Sequence, residues 1–311
     1  MPSFLFFLLA CSQSSPKQQV ICSNLNKDAM GLDNDTLHIE LYLTRGGAIS
    51  YISKSNELRN ILNIHDEGRY VQQSYDAGKN LNRIDEGQNP SWSPWSRNPI
   101  QVWDSYRNRA KILECDINEN TLYVKCIPML WDMNNKPAEA IMEQWTTLEG
   151  NIIKVSNKLT CDRTDTIYDE GISRSQELLA VYPISAFKNL YSYYGTAPFT
   201  GDSLNNPVVE HLEDGFWSRY EDDKVTEHWM AFVDDNLWGM GVYSPICSNF
   251  LAGMAGRPGY ESMDNATSYI APIKSVALKK KDVFEYDYYL IIGNLENIRS
   301  EFYKINEQLG N

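Results

Sequence analysis

The chain of 311 residues is long enough to bury a large core, either in one large domain or in two ordinary ones. Its composition, with 42% hydrophobic and 12% aromatic residues, is that of a folded protein, and its 19 Tyr and 8 Trp favour strands and also suit sugar binding. The formal net charge of −13 argues against nucleic acid or an anionic membrane surface as a partner.

The first 19 residues, MPSFLFFLLACSQSSPKQQ, contain a short apolar run that ends in Ala10 and Cys11. This arrangement resembles a bacterial lipoprotein signal, in which the cysteine becomes the lipidated first residue, although no Lys or Arg precedes the apolar run. The run is too short to span a bilayer as a helix. We therefore expect residues 1–10 to be a signal peptide, Cys11 to carry the lipid and residues 11–30 to be a flexible tether. This predicts a lipoprotein of the periplasm or the outer membrane surface, attached to the membrane only through its lipid.

Alternation of apolar and polar residues predicts strands along most of the remaining chain. In DTLHIELYL, for example, Leu37, Ile39 and Leu41 alternate with polar neighbours, which is the period of a strand with one buried face. Further strands are predicted at residues 121–127, 139–148, 151–160, 174–183, 226–234, 237–245, 267–273 and 284–293. The turn residues Glu149 and Gly150 predict that the strands at 139–148 and 151–160 form a hairpin. Helical patterns occur at residues 295–309 and 184–193. Because no linker or repeat divides residues 31–311, we expect one all-β domain, a large antiparallel sandwich of two sheets with few short helices.

Five segments resemble, in chain order, the galactose-mutarotase-like β-supersandwich: GGAISYIS, NIHDEGRYVQQSY, MEQWTTLEGNIIKV, RSQELLAVYP and FEYDYYLIIGNL. That superfamily includes aldose epimerases, the sandwich domains of polysaccharide lyases and other bacterial glycan-degrading proteins. The active-site string around the catalytic histidine of the mutarotases is not recognisable here. The resemblance covers about residues 31–300 and implies a sheet that faces a carbohydrate, without implying a particular reaction.

The segment GRYVQQSY concentrates polar side chains on one predicted strand. If it is a strand, Arg69, Gln73 and Tyr75 share a face, and we expect that face to line a wetted groove because burying these groups dry would be costly. Gln and Tyr suit sugar hydroxyls, and Arg can bind the carboxylate of a uronic acid through two parallel hydrogen bonds. The alternative is that Arg69 pairs with a structural carboxylate.

The segment EGQNPSWSPWSRNPIQ is a proline-rich loop with two large rings. Stiff, ordered loops of this kind are often functional. We expect Trp92 and Trp95 either to stack on the faces of pyranose rings or to pack the loop onto the sandwich.

Candidate acid and base groups lie on predicted strands and in one turn. Glu177 and Glu227 fall on largely apolar faces, where burial raises a carboxyl pKa unless a cation such as Arg69 or Arg174 keeps it ionised. His228 and His65 are candidates for proton transfer, although a structural role is the alternative for each. A carboxylate pair across a groove would suit glycoside hydrolysis, and a histidine with a tyrosine would suit β-elimination from a uronate.

Several kinds of chemistry have no support in the sequence. It contains no CxxC pair, GxSxG, HExxH, phosphate loop or dinucleotide-binding motif, so we expect neither a metal nor a cofactor. The leading hypothesis is a protein that acts on a polysaccharide or oligosaccharide, including one that contains uronic acid, as a glycoside hydrolase or polysaccharide lyase. A noncatalytic glycan-binding protein and a mutarotase-like sugar epimerase are the alternatives.

Overall fold

A computed structural model describes residues 28–66, 68–162, 172–209, 218–221 and 224–310. The predicted signal peptide and Cys11 lie outside these residues. The first strand begins at Ala29, slightly before the expected start of the domain at residue 31.

Three antiparallel sheets contain the strands of the described residues. The small sheet has the order β1-β2-β3, with β1 at Ala29–Asp33, β2 at Leu37–Tyr42 and β3 at Ala48–Lys54. The eight-stranded sheet consists, in spatial order, of β12 (Asn189–Ser192), β14 (Trp229–Val233), β15 (Trp238–Tyr243), β18 (Val283–Asn294), β10 (Ile152–Cys161), β9 (Ala140–Glu149), β7 (Thr121–Ile127) and β6 (Lys111–Ile117). The seven-stranded sheet consists of β13 (Ser218–Glu221), β16 (Asn249–Ala255), β17 (Thr267–Val276), β11 (Arg174–Ala180), β4 (Gln72–Leu81), β5 (Trp95–Ile100) and β8 (Met129–Leu130).

The expected all-β fold is confirmed, with a third, small sheet beside the two large ones. The predicted helix at 295–309 is confirmed as α1, Leu295–Gln308, whose first turn is capped by the side chain of Asn294. The predicted helix at 184–193 is wrong, because residues 189–192 form strand β12. Pairing of this short segment with β14 outweighs its local helical pattern.

The two large sheets pack face to face around the main hydrophobic core. Burial alternates strictly along β9 and β10, so that Met142 and Leu148 face the core together with Val155 and Leu159. These two strands form the predicted hairpin, in which Glu149 pairs with Ile152. Strict alternation thus defines an inner and an outer face in this part of the eight-stranded sheet.

Helix α1 covers part of the outer face of the eight-stranded sheet. Its residues Ile298 and Phe302 pack on Trp229 of β14 in a second apolar cluster. The helix approaches closely because β15 carries Gly241, where a Cβ atom would lie 2.4 Å from Ile298 and 2.8 Å from Phe302. Within the residues that the structure describes, no helix is long and apolar enough to cross a membrane.

Candidate functional site

A cavity of about 120 Å³ lies on the outer face of the seven-stranded sheet. Its walls include three indole rings, Trp92, Trp95 and Trp131, and its polar lining includes Gln72, Ser74 and Glu177. We call it the tryptophan cavity. Ligand sites typically combine apolar and aromatic walls with a few convergent polar groups, and this cavity has both.

The three indole rings contact one another edge to face. The ring centroids of Trp92 and Trp95 are 4.6 Å apart at an interplanar angle of 64°, and those of Trp92 and Trp131 are 5.6 Å apart at 73°. The indole Nε1 of Trp95 is buried, and no group in the described part of the chain accepts its hydrogen bond. A buried donor without an acceptor is costly, so the position of this ring depends on its packing against Trp92.

A buried ion pair holds the loop that carries Trp92. The Nη2 atom of Arg83 lies 2.7 and 2.6 Å from the two carboxylate oxygens of Asp132, with side chains 5% and 0% exposed. Gln88 donates to the same carboxylate at 2.5 Å. Asp132 directly follows Trp131, just after the end of β8. These bonds therefore connect the loop that carries Trp92 to the segment that carries Trp131.

The loop is also held by a short 3-10 helix, Pro90–Trp92. The side chain of Asn89 accepts from the Ser91 amide at 3.1 Å and donates to the Ser105 hydroxyl at 3.1 Å. The backbone amide of Asn89 donates to the backbone carbonyl of Asp132 at 2.8 Å. This capping arrangement places Trp92 against the two other rings without a long regular element.

A β-bulge in β11 brings Glu177 to the cavity. Glu177 pairs with Ser74 and Ala180 with Gln72, so three steps along β11 match two steps along β4. The bulge turns both intervening residues, Leu178 and Leu179, into the core, where each is 0% exposed. Regular alternation would put Glu177 on the same face as Leu179, and the extra residue separates the two. As a result, Glu177 and Ala180 both line the cavity.

The expectation that Gln73 and Tyr75 line the groove is corrected by the structure. Both are 0% exposed and point between the two large sheets. The amide of Gln73 donates to the carbonyl of Glu143 at 3.0 Å, and the hydroxyl of Tyr75 donates to Gln73 at 2.9 Å. Their hydrogen bonds to each other and to Glu143 offset the cost of burying these polar groups. Because Gln73 and Tyr75 point inwards, the opposite face of the strand, with Gln72 and Ser74, lines the cavity.

Arg69 does not line the cavity, which corrects the expectation that it binds a saccharide there. Its Nε is 2.8 Å from a carboxylate oxygen of Asp66, and its two terminal nitrogens donate to Asn63 at 2.9 Å and Asn265 at 3.0 Å. These bonds join two loops, as expected for the alternative in which Arg69 pairs with a structural carboxylate. His65 belongs to the same region, with its exposed ring 2.8 Å from the carbonyl of Met263.

Glu227 and His228 lie on the other large sheet, just before β14, and do not reach the tryptophan cavity. Glu227 is 0% exposed and accepts hydrogen bonds from the Tyr303 hydroxyl at 2.7 Å and from the Trp229 indole at 2.8 Å. His228 has a left-handed backbone, with a φ of 51°, which breaks the alternation that the sequence pattern assumed. The two residues therefore cannot supply the acid and base for chemistry in that cavity.

Arg174 lies at the start of β11 and donates to the side chain of Asn80 at 3.0 Å. It is not among the residues that line the cavity. Of the candidates from the sequence, the structure brings together Glu177, Trp92 and Trp95. It adds Gln72 and Ser74, which occupy the other face of the expected strand. It also adds two residues for which the sequence offered no spacing signal, Trp131 and Tyr182.

A larger cavity of about 590 Å³ runs along α1. It is lined mainly by polar and charged side chains of the helix itself, including Glu296, Lys304 and Glu307, which are exposed. Such groups are typical of the solvent-facing side of an amphipathic helix. Within the described ranges, no group of three or more His, Cys, Asp or Glu side chains is arranged to hold a metal ion.

Comparison with known proteins finds likeness in structure alone. No protein-family model and no curated protein matches the sequence. Solved structures similar to this chain include a putative aldose 1-epimerase from Escherichia coli K12, at 9% identity over 86% of this chain and 99% of that chain, with a TM-score of 0.48. A galactose mutarotase-like protein from Lactobacillus casei ATCC 334 matches at 9% identity over 85% of this chain and 99% of that chain, with a TM-score of 0.49. A Paenibacillus xanthan lyase matches at 8% identity over 93% of this chain and 26% of that chain, with a TM-score of 0.49.

The three antiparallel sheets by themselves define the fold as an antiparallel β-sandwich. At these identities the likeness concerns the fold and says nothing about the chemistry of individual residues.

Proposed function

We propose that the protein binds a sugar residue of an oligosaccharide or polysaccharide in the tryptophan cavity. The observation that carries this proposal is the set of three indole rings, Trp92, Trp95 and Trp131, around a small space with a polar lining. Indole rings offer flat apolar faces to the C–H groups of a pyranose and also carry a donor. A volume of about 120 Å³ is below the 300–1,000 Å³ usual for drug-sized ligands, so it suits one sugar unit or part of one.

The polar groups of the cavity match the groups of a sugar. A sugar hydroxyl can donate to the carboxylate of Glu177. The hydroxyl of Ser74 and the amide of Gln72 both belong to groups that donate and accept. This combination favours a ligand that has several hydroxyls and one apolar face.

A polysaccharide lyase is the second candidate function, favoured because Glu177 and Tyr182 line the same cavity. In a β-elimination, the Glu177 carboxylate would take the proton beside the uronate carboxyl group. The bond to the leaving oxygen would break as the ring double bond forms, and the Tyr182 hydroxyl would give that oxygen a proton. Glycoside hydrolysis needs two carboxylates about 5–9.5 Å apart, and among the described residues Glu177 is the one carboxylate in the lining.

Calorimetric titration against a panel of neutral and uronic-acid oligosaccharides tests the binding proposal. For the best ligand, Trp92→Ala and Trp95→Ala are expected to weaken affinity by roughly 30-fold each, as for central aromatic contacts. Trp145→Ala is the matched control, because Trp145 is a half-buried ring on the eight-stranded sheet. Wild-type affinity in both cavity variants would refute the proposal.

The same samples decide between binding and elimination. A lyase releases unsaturated ends that absorb in the ultraviolet, and Glu177→Gln should then reduce the rate by about 10²- to 10⁴-fold while binding is retained. Binding without product from any uronic-acid glycan would leave the protein as a noncatalytic glycan-binding protein.

We further propose that the protein is a lipoprotein of the periplasm or the outer membrane surface, on the basis of the apolar run that ends in Cys11. Membrane fractionation of cells that express wild-type and Cys11→Ala protein tests this. Equal membrane association of both proteins would contradict it.

A further inference from the structure

We propose that Tyr286, in the core of the sandwich, positions Glu177 at the tryptophan cavity through a hydrogen bond from its hydroxyl to the carbonyl oxygen of Leu178. The inference rests on the proposed sugar site. Tyr286 is a positioning residue, because it lies on the inner side of the sheet and does not line the cavity.

The Leu178 carbonyl belongs to the bulge that directs Glu177 outwards. On the β4 side, the regular register stops between Glu177 and Ala180. On the β17 side, Glu177 pairs with Ile273 and Val181 with Ile270, so four steps along β11 match three along β17. The extra residue therefore exists against both neighbouring strands, and the ladders are interrupted on both sides of the bulge.

The donor to the Leu178 carbonyl comes from the opposite sheet. Tyr286 lies on β18, near the middle of the eight-stranded sheet, and its hydroxyl crosses the core to reach β11. A bulge held in this way has one preferred shape, since any other would leave a buried carbonyl without a donor. Leu178 follows Glu177 directly, so the bond restrains the backbone from which the Glu177 side chain projects.

The Tyr286 hydroxyl is itself oriented by buried neighbours. The Asn157 amide donates to its oxygen at 3.1 Å, which leaves the tyrosine proton for Leu178. The Tyr75 hydroxyl lies 3.0 Å from the same oxygen and donates to Gln73 at 2.9 Å. Burial raises the pKa of Tyr286 to about 12, so the hydroxyl stays a donor at neutral pH.

This network gives Gln73 and Tyr75 a role different from the one expected from the sequence. They lie on the side of the strand opposite the cavity, where the Tyr75 hydroxyl is 3.0 Å from the Tyr286 oxygen and donates to Gln73. The face predicted to touch the sugar therefore packs behind the cavity, beside the hydroxyl that holds the bulge.

Tyr286→Phe removes the hydroxyl and keeps the ring. We expect it to weaken affinity for the best oligosaccharide by about 3- to 10-fold, the range of one lost hydrogen bond. Tyr288→Phe is the matched control, because Tyr288 is an equally buried tyrosine two residues along β18. Asn157→Ala, which keeps the Tyr286 hydroxyl but removes its orienting donor, should weaken binding in the same direction by less. Equal affinity in the wild type and in Tyr286→Phe would overturn the inference.

A double-mutant cycle separates positioning from general loosening of the fold. If Tyr286 acts through Glu177, Tyr286→Phe should cause no further loss of affinity in a Glu177→Ala background, where the positioned side chain is absent. The same fold-loss in both backgrounds would overturn the inference.

A ligand-free measurement keeps the inference distinct from the proposed function. In nuclear magnetic resonance spectra without sugar, Tyr286→Phe should shift the carbonyl carbon of Leu178 and the amide of Glu177, whereas Tyr288→Phe should leave both unchanged. Unshifted resonances in Tyr286→Phe would refute the positioning role. A wild-type protein that binds no glycan but shows these shifts would refute the sugar site alone.

Discussion

Glu227 is expected to stabilise the fold and to have no part in sugar binding. Its carboxylate is 0% exposed and accepts from the amide of Phe199 at 2.8 Å and from the hydroxyl of Tyr303 at 2.7 Å. The Trp229 indole donates to it at 2.8 Å, and Arg299 lies 3.3 Å away as a counter-ion. Because Arg299 and Tyr303 belong to α1, the carboxylate joins the helix to the sheet beneath it.

The expected cost follows from this set of partners. Glu227→Ala removes one half of a buried ion pair and leaves the other partners without an acceptor, which costs about 3–5 kcal/mol of the free energy of unfolding. Glu227→Gln keeps an acceptor oxygen but loses the charge beside Arg299, and we expect it to cost about 1–3 kcal/mol. Against a typical total of about 5–15 kcal/mol, the alanine variant should still fold.

Urea unfolding followed by tryptophan fluorescence measures this loss as a lower midpoint with an unchanged slope. Glu285→Ala is the control, because Glu285 is 63% exposed in a surface ion pair with Lys158 at 3.3 Å and should cost less than about 1 kcal/mol. The reasoning would be refuted if Glu227→Ala unfolded at the wild-type midpoint, or if it abolished sugar binding while remaining as stable as the control.

Three further predictions concern the loops and the core. Asp132→Asn should weaken sugar affinity and lower stability by about 2–4 kcal/mol, because it removes the buried negative charge that contacts Arg83 at 2.6 Å; calorimetry and urea unfolding measure both. Arg69→Met should lower stability by about 1–3 kcal/mol with unchanged sugar affinity, and a large loss of affinity would contradict its placement outside the cavity. Burial raises the pKa of Tyr286 to about 12, so above about pH 10 the unfolded chain releases a proton that the folded protein keeps. Stability should therefore fall by about 1.4 kcal/mol per pH unit for this group between about pH 10 and 12, and less steeply in Tyr286→Phe.

Local periodicity was enough to predict most elements of this fold. The predicted strand at residues 121–127 coincides with β7, and the predicted hairpin after residue 139 matches β9 and β10. The helix at 295–309 matches α1. These elements were predictable because alternation at period 2 or 3.6 depends on neighbours along the chain. The loop with Trp92 and Trp95 was recognisable for a similar reason, since its prolines and rings are local features.

The face of β4 that lines the cavity depended on contacts between distant segments. Periodicity showed that Gln73 and Tyr75 share a face, and it could not show that this face turns inwards. Their burial is possible because the carbonyl of Glu143 on the other sheet accepts from Gln73, which in turn accepts from the Tyr75 hydroxyl. A shift of one position exchanges the two faces of a strand, so the predicted residues lie behind the cavity and their neighbours line it.

The bulge at Leu178 and the left-handed backbone at His228 were likewise decided by tertiary structure. Each interrupts the regular alternation on which the assignments of Glu177 and Glu227 depended. An extra residue in a strand is stable only when the surrounding strands and core supply partners for it, and those partners are distant in sequence. The sequence by itself therefore determined an all-β chain with a tryptophan loop and a set of candidate carboxylates. The packing of two sheets decided that Glu177 meets the tryptophans while Glu227 is buried beneath a helix.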